Sequence, residues 1–224
     1  MFSYILFDLD GTLTDPKLGI TTCVQYALQS MGIEEPDLDK LEPFIGPPLR
    51  DSFREFYGMD TEQAEKAVVK YRERFSEKGL YENTLYPGME RLLKALKIAG
   101  CHLAVASSKT ECFVEQILAH FDIDGYFDVV VGSEMDGTRS QKEEVVEEAL
   151  RRFFPDGDIP YDSIVMVGDR KFDIIGGRAK GLHQVGVTYG YAEEGELEAA
   201  GAEYVVHDMD ELGRVLILQE GQHV

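Results

Sequence analysis

The sequence predicts an α/β protein, with a parallel sheet flanked by helices on both faces and a helical segment inserted after the first strand. Three observations carry this reading. Short apolar runs end abruptly in polar turns. From about residue 86 onward those runs alternate with helical patterns, and the stretch 16–84 reads as helical with no convincing strand.

Taken in order, Tyr4-Ile5-Leu6-Phe7 is the continuous apolar run that a strand covered on both faces requires, and it stops at Asp8-Leu9-Asp10-Gly11-Thr12. Helices are then expected over 18–31, 47–57 and 61–78. Pro87 opens and Gly100 closes a further helix over 89–99. The strand design recurs in His102-Leu103-Ala104-Val105-Ala106, which runs into Ser107-Ser108-Lys109, and in Ser163-Ile164-Val165-Met166-Val167, which runs into Gly168-Asp169. Val129-Val130-Val131 and Tyr204-Val205-Val206 are further strands, and 111–120 and 142–153 further helices. The expected division is a Rossmann-like core over 1–15 and 85–224 and a helical cap over 16–84. The connections near Asp15-Pro16 and from Asn83 to Pro87 would serve as hinges. Ligands of such sheets bind outside the carboxyl ends of the strands. Asp8, Asp10, Ser107 and Asp169 all fall there, so one crevice would hold all four.

Composition narrows the function. The 224 residues carry 22 Lys and Arg against 42 Asp and Glu, a formal charge of −20, and 44% are hydrophobic, enough for a sizeable core. Such a charge repels nucleic acid and anionic membrane surfaces, so neither is expected as a partner. The segment from Met1 to Leu9 lacks a basic opening and is too short for a signal peptide or a membrane span. Cys23, Cys101 and Cys112 show no CxxC spacing, which suits free thiols in a reducing cytoplasm. The last residues, 219–224, read as a disordered tail.

The acids carry the chemistry. Asp8 and Asp10, two apart on a chain leaving a strand, can turn toward one cation. Two carboxylates about 4 Å apart repel by roughly 4 kcal/mol at an effective dielectric of ~20, a penalty that a hard divalent ion removes. Gly11 allows the tight turn. A calcium loop does not fit, because Gly11 arrives too early and no Glu stands at the twelfth position from Asp8. A solvated acidic turn is the alternative. Asp169 and Asp173, four apart at a strand-to-helix junction, offer another ligand and a supporting acid; acids favoured at a helix start are the alternative. Ser107 and Ser108 begin a loop before a helix and can hold an oxyanion, or merely cap it. Lys142 opens a helix, where a surface role would be ordinary. Asp136-Gly137-Thr138 repeats the letters of the first turn without its partner acid, and reads as a plain turn. The five histidines have no metal-ligand spacing.

In order and separation these segments resemble the four motifs of the haloacid dehalogenase superfamily, in its phosphatase branch with a helical cap. Asp8-Leu9-Asp10-Gly11-Thr12-Leu13 is similar to its DxDGT signature, Ser107 to the second motif, Lys142 to the third, and Gly168-Asp169 through Asp173 to the fourth. The likeness extends to about Leu212 and is greatest to phosphoglycolate phosphatase-type and nucleotidase-type members. It implies a Mg²⁺-dependent phosphatase acting on a small phosphorylated metabolite, phosphoglycolate-like or a nucleotide monophosphate. Asp8 would be the nucleophile and Asp10 the general acid, binding metal through its main-chain carbonyl. Asp169 would complete the metal site, Asp173 support it, and Ser107 and Lys142 hold the phosphoryl group. Gly11, Thr12, Ser108, Lys109 and Arg50 would contact substrate, Arg50 from the first turn of a cap helix, though a surface position is open to it. A phosphosugar mutase would use the same residues, and a non-catalytic phosphate-binding protein is the third class. A monomer or small homo-oligomer is expected.

Overall fold

The computed structural model describes residues 2–217, so the tail expected over 219–224 lies outside the described residues. Six parallel strands form the sheet: β1 (Tyr4–Phe7), β4 (His102–Thr110), β5 (Val129–Ser133), β6 (Ile164–Gly168), β7 (His183–Val187) and β8 (Tyr204–Val206). Their order is β5-β4-β1-β6-β7-β8, which puts the first strand near the middle, paired through Phe7 with Val105 on one side and Val167 on the other. Alternation along β1 divides the core. Ile5 and Phe7 join Leu103, Val105, Val165 and Val167 in one apolar cluster, while Leu6 joins Ala104, Ala106 and Met166 in another. Helices α4 (Met89–Ile98), α5 (Glu111–His120) and α9 (Met209–Ile217) contribute to the first cluster, and α6 (Lys142–Phe153) to the second. Helices α7 (Lys171–Ala179) and α8 (Glu196–Ala200) follow β6 and β7 in the chain.

Between β1 and β4 the chain is helical, through α1 (Lys17–Ser30), a 3₁₀ turn (Leu38–Phe44), α2 (Leu49–Tyr57) and α3 (Thr61–Arg74). Asp60 caps α3, its carboxylate accepting from Gln63 N at 2.8 Å while the Gln63 side chain returns to Asp60 N. Three expectations are corrected. The third helix ends at Arg74 and loosens into a π-turn over Phe75–Gly79 instead of continuing to 78. The chain leaves and re-enters through a two-stranded antiparallel ribbon, β2 (Thr14–Asp15) with β3 (Thr84–Leu85), at the positions expected to be hinges. And β4 runs on to Thr110 with a register shift after Ala106, so Ser107 lies on a bulged strand end and α5 begins only at Glu111. Ser107 is therefore not a helix cap.

Candidate active site

The turn after β1 is fixed before any side chain acts. Gly11 N donates to the Thr14 carbonyl at 2.7 Å, and the Leu9 carbonyl accepts from Leu13 N and Thr14 N at 2.9 and 3.0 Å. Gly11 has φ +83°, and a Cβ there would stand 2.0 Å from Asp169 Oδ2, so conformation and space both exclude a side chain. The loops after β1 and β6 thus meet in near contact.

That meeting gathers the acids. Asp8, Asp169 and Asp173 each place a carboxylate oxygen within 4.8 Å of the others, all three buried. Asp169 Oδ1 accepts from the Thr12 hydroxyl at 3.3 Å and Oδ2 from Tyr191 N at 2.8 Å. Thr12 is fully buried and turned to Asp169. Asp173 Oδ2 accepts from Arg170 N at 3.0 Å, closing the first turn of α7. Lys142 stands between the acids, its Nζ 2.8 Å from both Asp8 Oδ1 and Asp173 Oδ1 and donating to the Ala106 carbonyl at 2.9 Å. The two short carboxylate distances lack hydrogen-bond direction, so these oxygens and Asp10 Oδ1 remain without hydrogen-bond partners among the described residues. The Lys142 contacts are ion pairs, since charge attraction needs proximity more than alignment. Buried carboxylate oxygens left in this way fit a cation with oxygen preference.

Burial raises the Asp169 carboxyl well above its usual range, with the Asp173 and Asp8 charges adding to the effect. Asp173 is pushed up to about 6, chiefly by burial, with Lys142 opposing. Burial works to lower Lys142, yet Asp173 and Asp8 more than offset it and leave the ammonium above its ordinary value. Asp10 is raised by burial and drawn back by Lys109, with which its Oδ2 forms an ion pair. The carboxylate of Asp10 is thus turned to Lys109 and lies outside the cluster of Asp8, Asp169 and Asp173.

Asp10 and Lys109 also line a cavity of about 330 Å³ shared by the strand ends and the helical segment. Ser108 and Arg50 are on its wall as well. Arg50 lies in the first turn of α2, its Nε paired with Glu65 and its Nη2 donating to the Asp136 carbonyl at 3.2 Å. Ser107 is buried, its Oγ accepting a long 3.4 Å bond from Lys109 N. The sequence reading missed Tyr191, whose amide holds Asp169, because the strand before it was missed. It missed the Lys109 to Asp10 pair, for which 99 residues of separation leave no local signal. It also missed Tyr71, Phe75 and Phe113, which give the cavity its apolar wall. Only their helical spacing was readable, and that suits any core.

Comparison with known proteins gives one consistent family. The model of the haloacid dehalogenase-like hydrolases matches residues 5–187. Among relatives, a 5'-nucleotidase of Pseudomonas aeruginosa is 46% identical over 95% of this chain and 94% of its own length. A tyrosine-protein kinase of Mycobacterium tuberculosis is 38% identical over 95% and 72%, and a phosphoglycolate phosphatase of Aquifex aeolicus 32% identical over 84% and 86%. A crystal structure described as a predicted phosphatase from Clostridium acetobutylicum superimposes with a TM-score of 0.91 at 46% identity, covering 96% of this chain and 98% of that one. The chain belongs to the haloacid dehalogenase-like hydrolases, in their phosphatase branch.

Proposed function

We propose that the chain is a Mg²⁺-dependent phosphatase that hydrolyses a small phosphorylated metabolite, a nucleotide monophosphate or a phosphoglycolate-like ester, through an aspartyl phosphate on Asp8. The observation that carries this is the buried cluster of Asp8, Asp169 and Asp173 around Lys142, beside a cavity that also reaches Asp10. Asp8, Asp169 and the main-chain carbonyl of Asp10 would hold the metal, with Asp173 supporting them. Bound there, Mg²⁺ supplies Lewis-acid polarisation and charge neutralisation at the phosphoryl group.

The chain's own residues do the rest. An Asp8 carboxylate oxygen attacks phosphorus and displaces the ester oxygen, which takes a proton from Asp10. Burial, which raises the Asp10 carboxyl, favours the protonated form this step needs. Asp10, now ionised, then draws a proton from the water that hydrolyses the aspartyl phosphate. Lys142, already beside Asp8, holds the transferring phosphoryl oxygens together with Ser107. Residues 16–84 would act as a cap over the core of 1–15 and 85–224, closing above the crevice and excluding water. Arg170 supports this, since it donates from the loop after β6 to the Ile45 carbonyl of the helical segment at 2.9 Å while pairing with Glu196 on the core side.

Among the described residues no helix is long and apolar enough to cross a membrane. The three free cysteines suit a cytoplasmic setting.

The test is Asp8→Asn, assayed for phosphate release from a panel of glycolate, sugar, nucleotide and pyridoxal esters. Turnover should vanish on every ester while the fold, by circular dichroism, persists. Activity within tenfold of wild type would rule out attack by Asp8.

A further inference from the structure

The helical segment carries a cation that no carboxylate contacts directly among the described residues. Arg72, near the end of α3, is half-buried on the wall of the cavity that also reaches Asp10 and Lys109. Its Nη1 donates to the Met135 carbonyl at 2.7 Å, and among the described residues no carboxylate pairs with it. A guanidinium has five N–H donors in a planar fork, so most of its capacity is unspent.

A second cation stands beside it. Burial first, and then the nearby charge of Arg50, disfavours the Arg72 cation, while the Glu65 carboxylate offsets part of this. Arg50 is held there by design of the loop beneath it. Its Nη2 donates to the Asp136 carbonyl, and a Cβ on Gly137 would stand 1.6 Å from Arg50 Nη1. The segment Met135-Asp136-Gly137, which leads into a turn that is plain in sequence, therefore carries both cap arginines through the Met135 and Asp136 carbonyls. Glu65 pairs directly with Arg50 and acts on Arg72 at longer range, so one carboxylate serves two guanidinium groups. Two guanidinium groups on one cavity wall that share a single carboxylate, in a chain of net charge −20, cost stability unless an anion joins them.

The phosphoryl group does not supply that anion, because its place is beside Asp8 and Lys142. We propose that Arg72 is a specificity-determining residue that binds a second acidic group, carboxylate or phosphate, on the leaving portion of the substrate, with Arg50 alongside. The proposal rests on the phosphatase reading above and narrows it to esters that are acidic at both ends. A planar fork meeting a carboxylate or phosphate forms two parallel charge-assisted hydrogen bonds, a geometry that an ammonium does not reproduce.

The test compares wild type, Arg72→Ala and Arg72→Lys with Mg²⁺ present, on three probes: p-nitrophenyl phosphate, 2-phosphoglycolate and a nucleoside 5'-monophosphate. The quantity read is the ratio of kcat/KM on phosphoglycolate to that on the aryl ester. It should fall about tenfold to a hundredfold in Arg72→Ala, the range expected for losing one or two charge-assisted hydrogen bonds, with the change carried by KM. Arg72→Lys should recover only part of it. In wild type, KM for phosphoglycolate should rise with ionic strength more steeply than in Arg72→Ala. An unchanged ratio, or a loss confined to the nucleotide, overturns the assignment, the latter because it would make Arg72 a reader of the base. Both variants are melted in parallel, and Arg72→Lys keeps the charge if alanine unfolds the cap. Loss of aryl phosphate turnover in wild type would sink the phosphatase reading itself, an outcome distinct from an unchanged ratio.

Discussion

Replacing Lys142 by Met tests the electrostatics of the site without requiring any substrate. The Lys142 ammonium lies 2.8 Å from one oxygen of Asp8 and one of Asp173, and the three side chains are 5%, 5% and 1% exposed. At that distance each attraction is ~6 kcal/mol at an effective dielectric of 20, before the cost of removing the charges from water. Breaking buried pairs of this kind costs about 3–5 kcal/mol net. In Lys142→Met the three carboxylates within 4.8 Å face one another with no cation between them. Each pair at that separation repels by ~3.5 kcal/mol if both are ionised. Protons would relieve part of this. Asp173 has its folded pKa raised to about 6 even with Lys142 present. A carboxyl raised on folding binds protons more tightly folded than unfolded, so stability falls as pH climbs from about 4 through 6. Without Lys142 that window extends upward. The variant should therefore melt about 6–20 °C below wild type in excess chelator at pH 8, at ~2–4 °C per kcal/mol for a chain of this length, and by less at pH 5. Saturating Mg²⁺ supplies ~2.7 kcal/mol at a hundred times Kd, and its effect should be larger in the variant than in wild type. Calorimetry with chelator and with Mg²⁺, at both pH values, reads all four quantities. A variant within about 1 kcal/mol of wild type in chelator at pH 8, with no greater gain from Mg²⁺, would refute charge compensation by Lys142.

Three further predictions rest on separate observations. Glu148 is held down to about 2 by its hydrogen bond to Arg151, then by Arg152, against burial. Its stabilisation is complete above pH ~4.5 and lost as pH falls through ~2; Arg151 is well exposed, so Glu148→Gln should cost only about 1 kcal/mol at pH 7 and almost nothing at pH 2, and a gap that stays constant would sink the assignment. Chelation should abolish turnover, Mg²⁺ restore it and Ca²⁺ inhibit, because the larger ion misplaces the phosphoryl oxygens; full activity in excess chelator would remove Asp169 from the metal site. Asp10→Asn should spare metal affinity measured by titration calorimetry and lose most activity on alkyl esters, whose poor leaving groups need a proton; equal losses on aryl and alkyl phosphates would count against Asp10 as acid.

What was legible in sequence follows from where physics is local. Strand β1 could be read because four apolar residues in a row have few other uses, and the acids after it because strand ends must turn. Strand β7 could not: it begins His183-Gln184 and contains Gly186, where a Cβ would crowd Leu197 at 2.9 Å, so packing has replaced the apolar signal. That omission hid Tyr191. The end of β4 was misread as a loop because Ser107, Ser108 and Lys109 are turn-like residues, whereas pairing of Thr110 with Ser133 keeps them extended. Arg72 and Lys109 are ordinary basic residues in sequence, and only tertiary contact distinguishes one half-buried without a carboxylate from one paired to Asp10.

The net charge of −20 at first opposes a phosphate substrate, and the structure shows how the two are reconciled. Long-range repulsion fades within a Debye length of about 8 Å at physiological ionic strength, so it acts on the approach to the protein and little inside the cavity. Around the cavity and the adjoining acid cluster the balance is set by few groups. Lys142 meets Asp8 and Asp173, Lys109 meets Asp10, and Arg50 meets Glu65, so each of these cations is already answered by an acid. With Asp169 included, four buried carboxyl groups face two ammonium groups, a balance that disfavours a dianionic phosphoryl group. A divalent cation, held as proposed, would offset that excess, and Arg72 on the cavity wall is a positive charge with no directly paired carboxylate among the described residues. The cavity wall that carries Arg72 also holds Tyr71, Phe75 and Phe113, so a ligand reaching Arg72 meets apolar surface as well as charge. A net-acidic chain that gathers cations at its cavity raises selectivity against anions of the wrong shape, at the expense of encounter rate.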